Sequence, residues 1–564
     1  MGQTVAMDPL PSGPPRAPML AAAAVFAALA VVVPVGATRW SERVRPEAAE
    51  QNLQVPNRSV EARTCGGRPT DTPRQLRGMW LTTVYNIDWP SRPGLDAETV
   101  KAEYRGWLDL AQRLNHNAIF VHIRPSGDAF WPSPYAPWSN WLTGRLDGSS
   151  PGWDPLEYII AEAHARNLEF HAWFNPYRGT QSTRQGGAGS DPKLLAPNHP
   201  LRLHPEWSVV YPVGTNGSRL YFNPGIPDAR RFVEDSMLDA VARYDVDGVH
   251  FDDFFYPYQE ADQDFNDAAT FATYGKGFAT KGDWRRDNVN KLVQEMSRRI
   301  KALKPWVKFG ISPFGIWRNS ATDKLGSPTR GLQSYDEIFA DTRLWVKQGW
   351  LDYIVPQLYW HIGFGVADYA KLLPWWANQV AGTRVQLYIG QADYRIGEKG
   401  AWSNAAELDR QLTLNEKYGV SGSIHFAAND VRADRLGAVT RYRNAHYGGP
   451  ALVPTMAHLP TSPLAAPTTV AARRDAKGAV TLTWRGGRGP PATGFAVYRV
   501  DDAAPANGTG GPTARLIATS RNTGDAVQTW VDQTAINGRS YAYCVTAMDR
   551  LWNESWVSAA RRVR

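Results

Sequence analysis

Two aspartates stand side by side in the run Val246-Asp247-Gly248-Val249-His250-Phe251-Asp252-Asp253-Phe254-Phe255-Tyr256-Pro257. The alternation over residues 248–252 predicts a β-strand whose period of two puts Val249 and Phe251 on one face and His250 and Asp252 on the other. A carboxyl at such a strand end, walled by aromatics, loses hydration, and its pKa rises toward the range of a general acid. Asp252 and Asp253 are therefore the candidate catalytic residues. Adjacent aspartates also cap turns or hold an arginine, and that plainer reading stands until the strand is placed.

Other apolar runs end in comparable clusters: His122-Ile123-Arg124-Pro125-Ser126-Gly127-Asp128, His171-Ala172-Trp173-Phe174-Asn175-Pro176-Tyr177-Arg178 and Pro356-Gln357-Leu358-Tyr359-Trp360-His361. Hydrogen-bonding groups interleaved with flat rings suit sugars, whose hydroxyls need polar partners and whose apolar faces stack on aromatics. Arg124, His171, Asn175, Tyr256, Gln357, Tyr359 and Trp360 are the substrate-binding candidates. Trp360 could instead be barrel packing, and Arg124 could simply pair with Asp128. Hydrolysis of a glycosidic bond needs a carboxylic acid and a second carboxylate. Side chains 252 and 253 start on opposite faces of the strand, so the partner is expected from elsewhere, with Asp128 and Asp393 as possible second carboxylates. Asp88 and Asp393 are reserve carboxylates that read first as loop-structuring residues, and His425 reads as a core histidine. Spacing along the chain leaves retention or inversion open.

The elements that must position these residues recur between Leu76 and Tyr447. Eight short apolar runs, 78–84, 118–123, 169–174, 248–252, 308–312, 353–358, 385–389 and 422–426, alternate with amphipathic helices. One helix follows an Asp96 cap with Val100, Tyr104, Trp107, Ala111 and Leu114 on one face; another carries Val289, Leu292, Val293, Met296 and Ile300. Asp154 before Pro155 is a further helix start. The pattern predicts an α/β fold, a (β/α)₈ TIM barrel, whose active site lies at the C-terminal strand ends. A doubly wound open sheet is the alternative, but no Gly-rich phosphate turn follows the first strand.

The expected domain order is a signal peptide or N-terminal anchor over 1–37, a flexible tether over 38–75, the barrel over 76–447, a Pro/Gly linker over 448–467 and a small all-β domain over 468–564. Residues 17–38 carry no charge and end in Val35-Gly36-Ala37, a small-residue pattern like an export-signal cleavage site. The run is also just long enough to cross a bilayer, which takes about 20 residues, so an uncleaved anchor stays open. Either way the protein is expected to be secreted or held in the cell envelope. The net charge of +8 is spread along the chain, which argues against a nucleic-acid footprint. Cys65 and Cys544 are the two cysteines, so a disulfide framework and metal-ligand spacing are absent, while one long-range bridge is left open. No metal and no cofactor are expected.

Two resemblances add to this reading. The segments Arg77-Gly78-Met79-Trp80-Leu81-Thr82-Thr83-Val84, Arg124-Pro125-Ser126-Gly127-Asp128-Ala129, Asp247 to Pro257, Gly310-Ile311-Ser312-Pro313-Phe314-Gly315 and Pro356-Gln357-Leu358-Tyr359-Trp360, in that order, resemble the glycosyl hydrolase-like 10 domain family. That resemblance implies an exported bacterial glycoside hydrolase acting on cell-wall glycan, the best understood members cleaving peptidoglycan strands stripped of stem peptides. The Asp247-Gly248-x-His250-x-Asp252 pattern also looks like the strand motif of family-18 chitinases, but Phe254 occupies the position of their general acid. The C-terminal region, through Leu482-Thr483-Trp484, Val497-Tyr498-Arg499 and Tyr541-Ala542-Tyr543, resembles a fibronectin type III domain, which implies a spacer or a docking surface for wall or septal proteins. A second function class, a non-catalytic wall-glycan binder, would keep the cleft without turnover.

Overall fold

In the computed structural model, which describes residues 65, 72–260, 262–501 and 514–563, the chain folds into a closed barrel standing on a small β-domain. The strands are β1 (Leu76–Leu81), β2 (Ala118–Arg124), β3 (Glu169–Phe174), β4 (Ser208–Tyr211), β5 (Arg219–Phe222), β6 (Gly248–Phe251), β7 (Lys308–Ile311), β8 (Tyr353–Ile354), β9 (Gln386–Ala392) and β10 (Gly422–Phe426). All but β4 and β5 pair in parallel around the barrel in the order β1-β10-β9-β8-β7-β6-β3-β2. β4 and β5 form an antiparallel hairpin between β3 and β6 that the sequence reading lacked.

The helices form where side-chain spacing and caps agree. Asp96 accepts from the Thr99 amide at 2.9 Å to start the helix Ala97–Arg113, and Asp154 caps Pro155–Ala165 through the amides of Leu156 and Glu157. The helix Lys281–Leu303 buries Val289, Leu292, Val293, Met296 and Ile300 completely. Each such side chain contributes about 1.5–3 kcal/mol relative to exposure. Val249 and Phe251 of β6 join this outer helix layer, whereas Trp80, Phe120, Trp173, Tyr353 and Tyr388 fill the barrel interior.

Beneath the barrel lie β11 (Thr468–Arg474), β12 (Val480–Arg485), β13 (Gly494–Asp501), β14 (Arg515–Arg521), β15 (Gln528–Asp532), β16 (Tyr541–Met548) and β17 (Arg561–Val563). They make two antiparallel sheets, β11-β12-β15 and β14-β13-β16-β17, whose inner faces meet through Leu482, Trp484, Phe495, Val497 and Val545. Residues 555–559 run beside β16 without forming a strand. There the serine hydroxyls replace ladder groups: Ser558 Oγ accepts from the Val545 amide and Ser555 Oγ from the Ala547 amide, each at 3.0 Å.

The segment read as a linker is not a free spacer. Leu452, Val453, Met456 and Leu459 are buried with Leu76 of the barrel and Met548, Leu551 and Trp552 of the β-domain. Cys65 and Cys544 form a disulfide that ties the stretch ahead of the barrel to β16. The uncharged N-terminal run lies outside the described residues.

Candidate active site

β6 ends at Phe251, and the chain turns there so that both following carboxyls enter the barrel mouth. The opposite-face expectation therefore fails: it extended strand parity past the strand end. Asp252 leans toward β3, where its Oδ2 accepts from Trp173 Nε1 at 3.2 Å and from Asn175 Nδ2, while its Oδ1 accepts from the Phe254 amide at 3.1 Å. Asp253 leans the other way. Its Oδ1 accepts from Gln357 Nε2 at 3.1 Å and its Oδ2 from the Tyr258 hydroxyl.

Each donor is itself held. The Asn175 carbonyl oxygen accepts from Arg178 Nη1 at 2.9 Å and from His122 Nε2 at 3.1 Å, which aims the Asn175 amide N–H at Asp252. His122 lies flat against Trp173, ring centres 3.9 Å apart. Gln357 Nε2 also donates to the Ser312 carbonyl at 2.8 Å. Arg178 sits 4.0 Å over the Phe254 ring and is the cation whose field reaches both aspartates.

Burial, and next the charge of Asp253, push Asp252 up to a pKa of about 7, against the opposing pull of Arg178, the Phe254 amide and Asn175. Burial raises Asp253 as well, opposed by its hydrogen bonds to Tyr258 and Gln357. The two neighbouring carboxyls interact, so they titrate as a pair. The charge of Asp253 is among the causes that raise Asp252, which leaves the proton with Asp252.

The remaining candidates separate. Trp360 is half-buried on the rim, edge-on to Phe314 with ring centres 5.4 Å apart, and Tyr359 stacks on Phe426 with its electrostatics coupled to Asp253 and Asp252. Asp128 is buried, accepts from the Ser126 amide at 2.9 Å, and is raised by burial; it lines a small open hollow with Trp141, Asn140 and Gln181. Arg124 does not face the mouth and has no direct ion pair with Asp128. Its guanidinium is buried, donates to the carbonyls of Asn175 and Pro176, and braces the loop after β3; burial lowers its pKa to about 10.

Three expected site residues lie elsewhere. His171 shares the inward face of β3 but stands low in the barrel, bonded to Glu169 and Tyr353. Tyr256 packs outside it, edge-on to Phe265 and Phe339, since the turn after Asp253 reverses the facing of the chain. Asp393 is turned to the helix side, where His425 Nδ1 meets its Oδ2 at 2.8 Å and the Tyr442 hydroxyl donates to its Oδ1 at 3.3 Å. His425 is thus a satisfied, buried histidine. Asp88 clamps two loops, accepting from the amides of Thr82 and Asn429.

The sequence reading missed Trp173, Arg178, Tyr258 and Ser312 as site residues. Trp173 and Ser312 carried a signal, standing two residues beyond inward-facing His171 and Gly310. Tyr258 carried none. Glu337 is an exposed carboxylate that accepts from the Gln333 amide at 3.0 Å and is raised chiefly by partial burial; its field reaches Tyr258. Tyr85, at a φ of 57°, is held with its hydroxyl donating to Gln181 and its ring edge-on to Trp141.

The glycosyl hydrolase-like 10 family matches residues 75–406. The chain is 44% identical over 493 residues to a protein named glycosyl hydrolase YngK from Bacillus subtilis (strain 168), covering 86% of this chain and 92% of that one. It is 39% identical over 415 residues to glycosyl hydrolase DigH from Escherichia coli (strain K12), covering 70% and 93% respectively.

Proposed function

This chain belongs to the glycosyl hydrolase-like 10 family and is a glycoside hydrolase; from that premise we propose that it cleaves bacterial cell-wall glycan, in the form of strands stripped of their stem peptides, with Asp252 as general acid. The observation that carries the chemistry is the coupled Asp252–Asp253 pair in a mouth flanked by aromatic rings. Asp252 holds a proton at neutral pH and gives it to the leaving oxygen of the glycosidic bond. Asp253, ionised, faces the positive charge that develops on the sugar ring and serves as the second carboxylate. Arg178 keeps the pair from carrying two protons, while Asn175, Trp173, Gln357 and Tyr258 fix where the oxygens point. Tyr359 and Trp360 supply flat surface for the sugar, and a separate hollow lined by Asp128 and Trp141 lies among the loops after β2 and β3.

The substrate class is supported by the motif resemblance, by an uncharged export-like N-terminus and by a net charge of +8, which favours anionic wall polymers. An extracytoplasmic location follows from the same N-terminal run. The test is to incubate the purified protein with amidase-treated, peptide-free glycan and with intact sacculi, and to separate the products by mass. Release of soluble oligosaccharides from the peptide-free strands supports the reading. Binding to both without release, across pH 4–9, contradicts it.

A further inference from the structure

Trp552 belongs to the β-domain, yet its indole Nε1 donates at 2.8 Å to Oε1 of Glu169, the first residue of β3, inside the lower end of the barrel. Its backbone stands at a φ of 62°, a left-handed conformation that a bulky residue rarely adopts unless its surroundings enforce it. Those surroundings are present: the Asp549 carboxylate accepts from the Leu551 and Asn553 amides, and Arg74, ahead of β1, donates to the Trp552 carbonyl at 3.0 Å.

From Glu169 a continuous line of buried polar groups climbs the barrel interior. His171 Nε2 meets Glu169 Oε2 at 3.0 Å, His171 Nδ1 meets the Tyr353 hydroxyl at 2.9 Å, and the same hydroxyl meets His250 Nδ1 at 3.2 Å. His250 Nε2 meets Trp80 Nε1 at 3.1 Å and Ser312 Oγ at 3.0 Å. The proton positions follow from the ends of the line. An indole N–H can only donate, so His250 Nε2 is an acceptor and its proton sits on Nδ1, directed at Tyr353. Tyr353 must then donate to His171 Nδ1, which leaves His171 protonated on Nε2 and donating to Glu169. Glu169 is the acceptor-only terminus: burial alone would raise it, but Lys308 and the His171 bond more than offset that and hold it ionised. One arrangement of protons serves the line from Trp80 to Glu169, with the Ser312 hydroxyl sharing the His250 Nε2 acceptor with Trp80. At the upper end Ser312 presents its carbonyl to Gln357, whose other N–H holds Asp253.

We propose that the β-domain is a working part of the hydrolase: Trp552 fixes Glu169, and the His171–Tyr353–His250 line fixes Ser312 and so the Gln357 amide that orients Asp253. These are positioning residues, since none touches substrate, and the proposal rests on the assignment of Asp252 and Asp253 as the catalytic pair. The groups facing Asp253 are Tyr258, Gln357, Asp252, Arg178 and Tyr359; the relay acts on Gln357.

The experiment uses the full-length protein and its Trp552→Phe and Tyr353→Phe variants, which remove one donor each; Tyr353→Phe keeps its ring, and Trp552→Phe keeps an aromatic side chain smaller than the indole. Imidazole ¹⁵N NMR is expected to show His250 as the Nδ1–H and His171 as the Nε2–H tautomer in wild type, with the pattern lost in Tyr353→Phe. On peptide-free glycan, kcat is expected to fall about 10-fold to 100-fold with KM unchanged, as for a displaced catalytic group. The acidic limb of the pH profile is expected to move up, because Asp253 loses part of its donor. Folded variants with wild-type kcat and pH profile, or the opposite tautomers, would overturn the proposal. Full activity in Asp252→Asn would instead overturn the catalytic assignment, whatever the relay variants do.

Discussion

Asp252 and Asp253, neighbours in the chain, send their carboxylates to opposite walls of one barrel mouth: Asp252 Oδ2 accepts from Trp173 Nε1 at 3.2 Å beside β3, and Asp253 Oδ1 accepts from Gln357 Nε2 at 3.1 Å beyond β8. Removal from water and mutual repulsion then make them titrate as a pair.

The first consequence is a pH-dependent stability. An unfolded aspartate loses its proton near about 3.9, whereas folded Asp252 keeps its own to about 7. Between those values the native state binds more protons than the unfolded chain, so this group's contribution falls as pH rises. Asp252→Asn has no such proton. Its melting temperature relative to wild type is expected to climb from pH 4 to pH 7 and then level off. A difference flat in pH would mean that Asp252 titrates as an ordinary carboxyl.

Removing the neighbour acts on the alkaline side. Asp253 raises Asp252, so Asp253→Asn lowers the Asp252 pKa and strips the acid of its proton at lower pH. The alkaline limb of the rate profile should shift downward, and kcat at neutral pH should fall about 10²-fold or more, as for loss of an acid–base group. An unshifted limb would remove Asp253 from the pair.

Arg178 pulls both carboxyls down. Arg178→Met keeps the apolar contact with Phe254 and deletes the charge, so both pKa values rise and the acidic limb of the rate profile moves up. Glu337→Gln is expected to change kcat less than about tenfold, because its carboxylate lies outside the coupled pair. A loss as large as that of Asp253→Asn would make Glu337 the second carboxylate.

The two carboxyls first considered as partners should behave differently from each other. Asp393→Asn breaks a buried contact with His425, costing about 1–3 kcal/mol of stability while the remaining folded protein keeps its kcat. Asp128→Asn alters the cavity beside Trp141 and should raise KM for long glycans with little change in kcat. Equal kcat losses in both would contradict these placements.

Strand parity told most of this from the sequence. On β6 it put His250 inward and Val249 and Phe251 toward the helices, as the structure has them, and Asp252, one residue past the strand end, also enters the mouth. Parity gives the face but not the height: His171 faces inward like Trp173, yet one layer lower, and only Trp173 reaches Asp252. It also stops at the strand end, which is why Tyr256 was placed in the mouth. The helix caps Asp96 and Asp154 were local signals and were legible. The docking of the β-domain through Trp552 was not, because a contact between residues 169 and 552 leaves no periodic mark on either segment.

The most direct measurement of the central claim is the rate at which Asp252→Asn releases soluble fragments from peptide-free glycan, beside wild type, with folding checked by circular dichroism. The account predicts a fall in kcat of about 10²–10⁴-fold, the usual share of a general acid. A folded Asp252→Asn protein that cleaves as fast as wild type would contradict it.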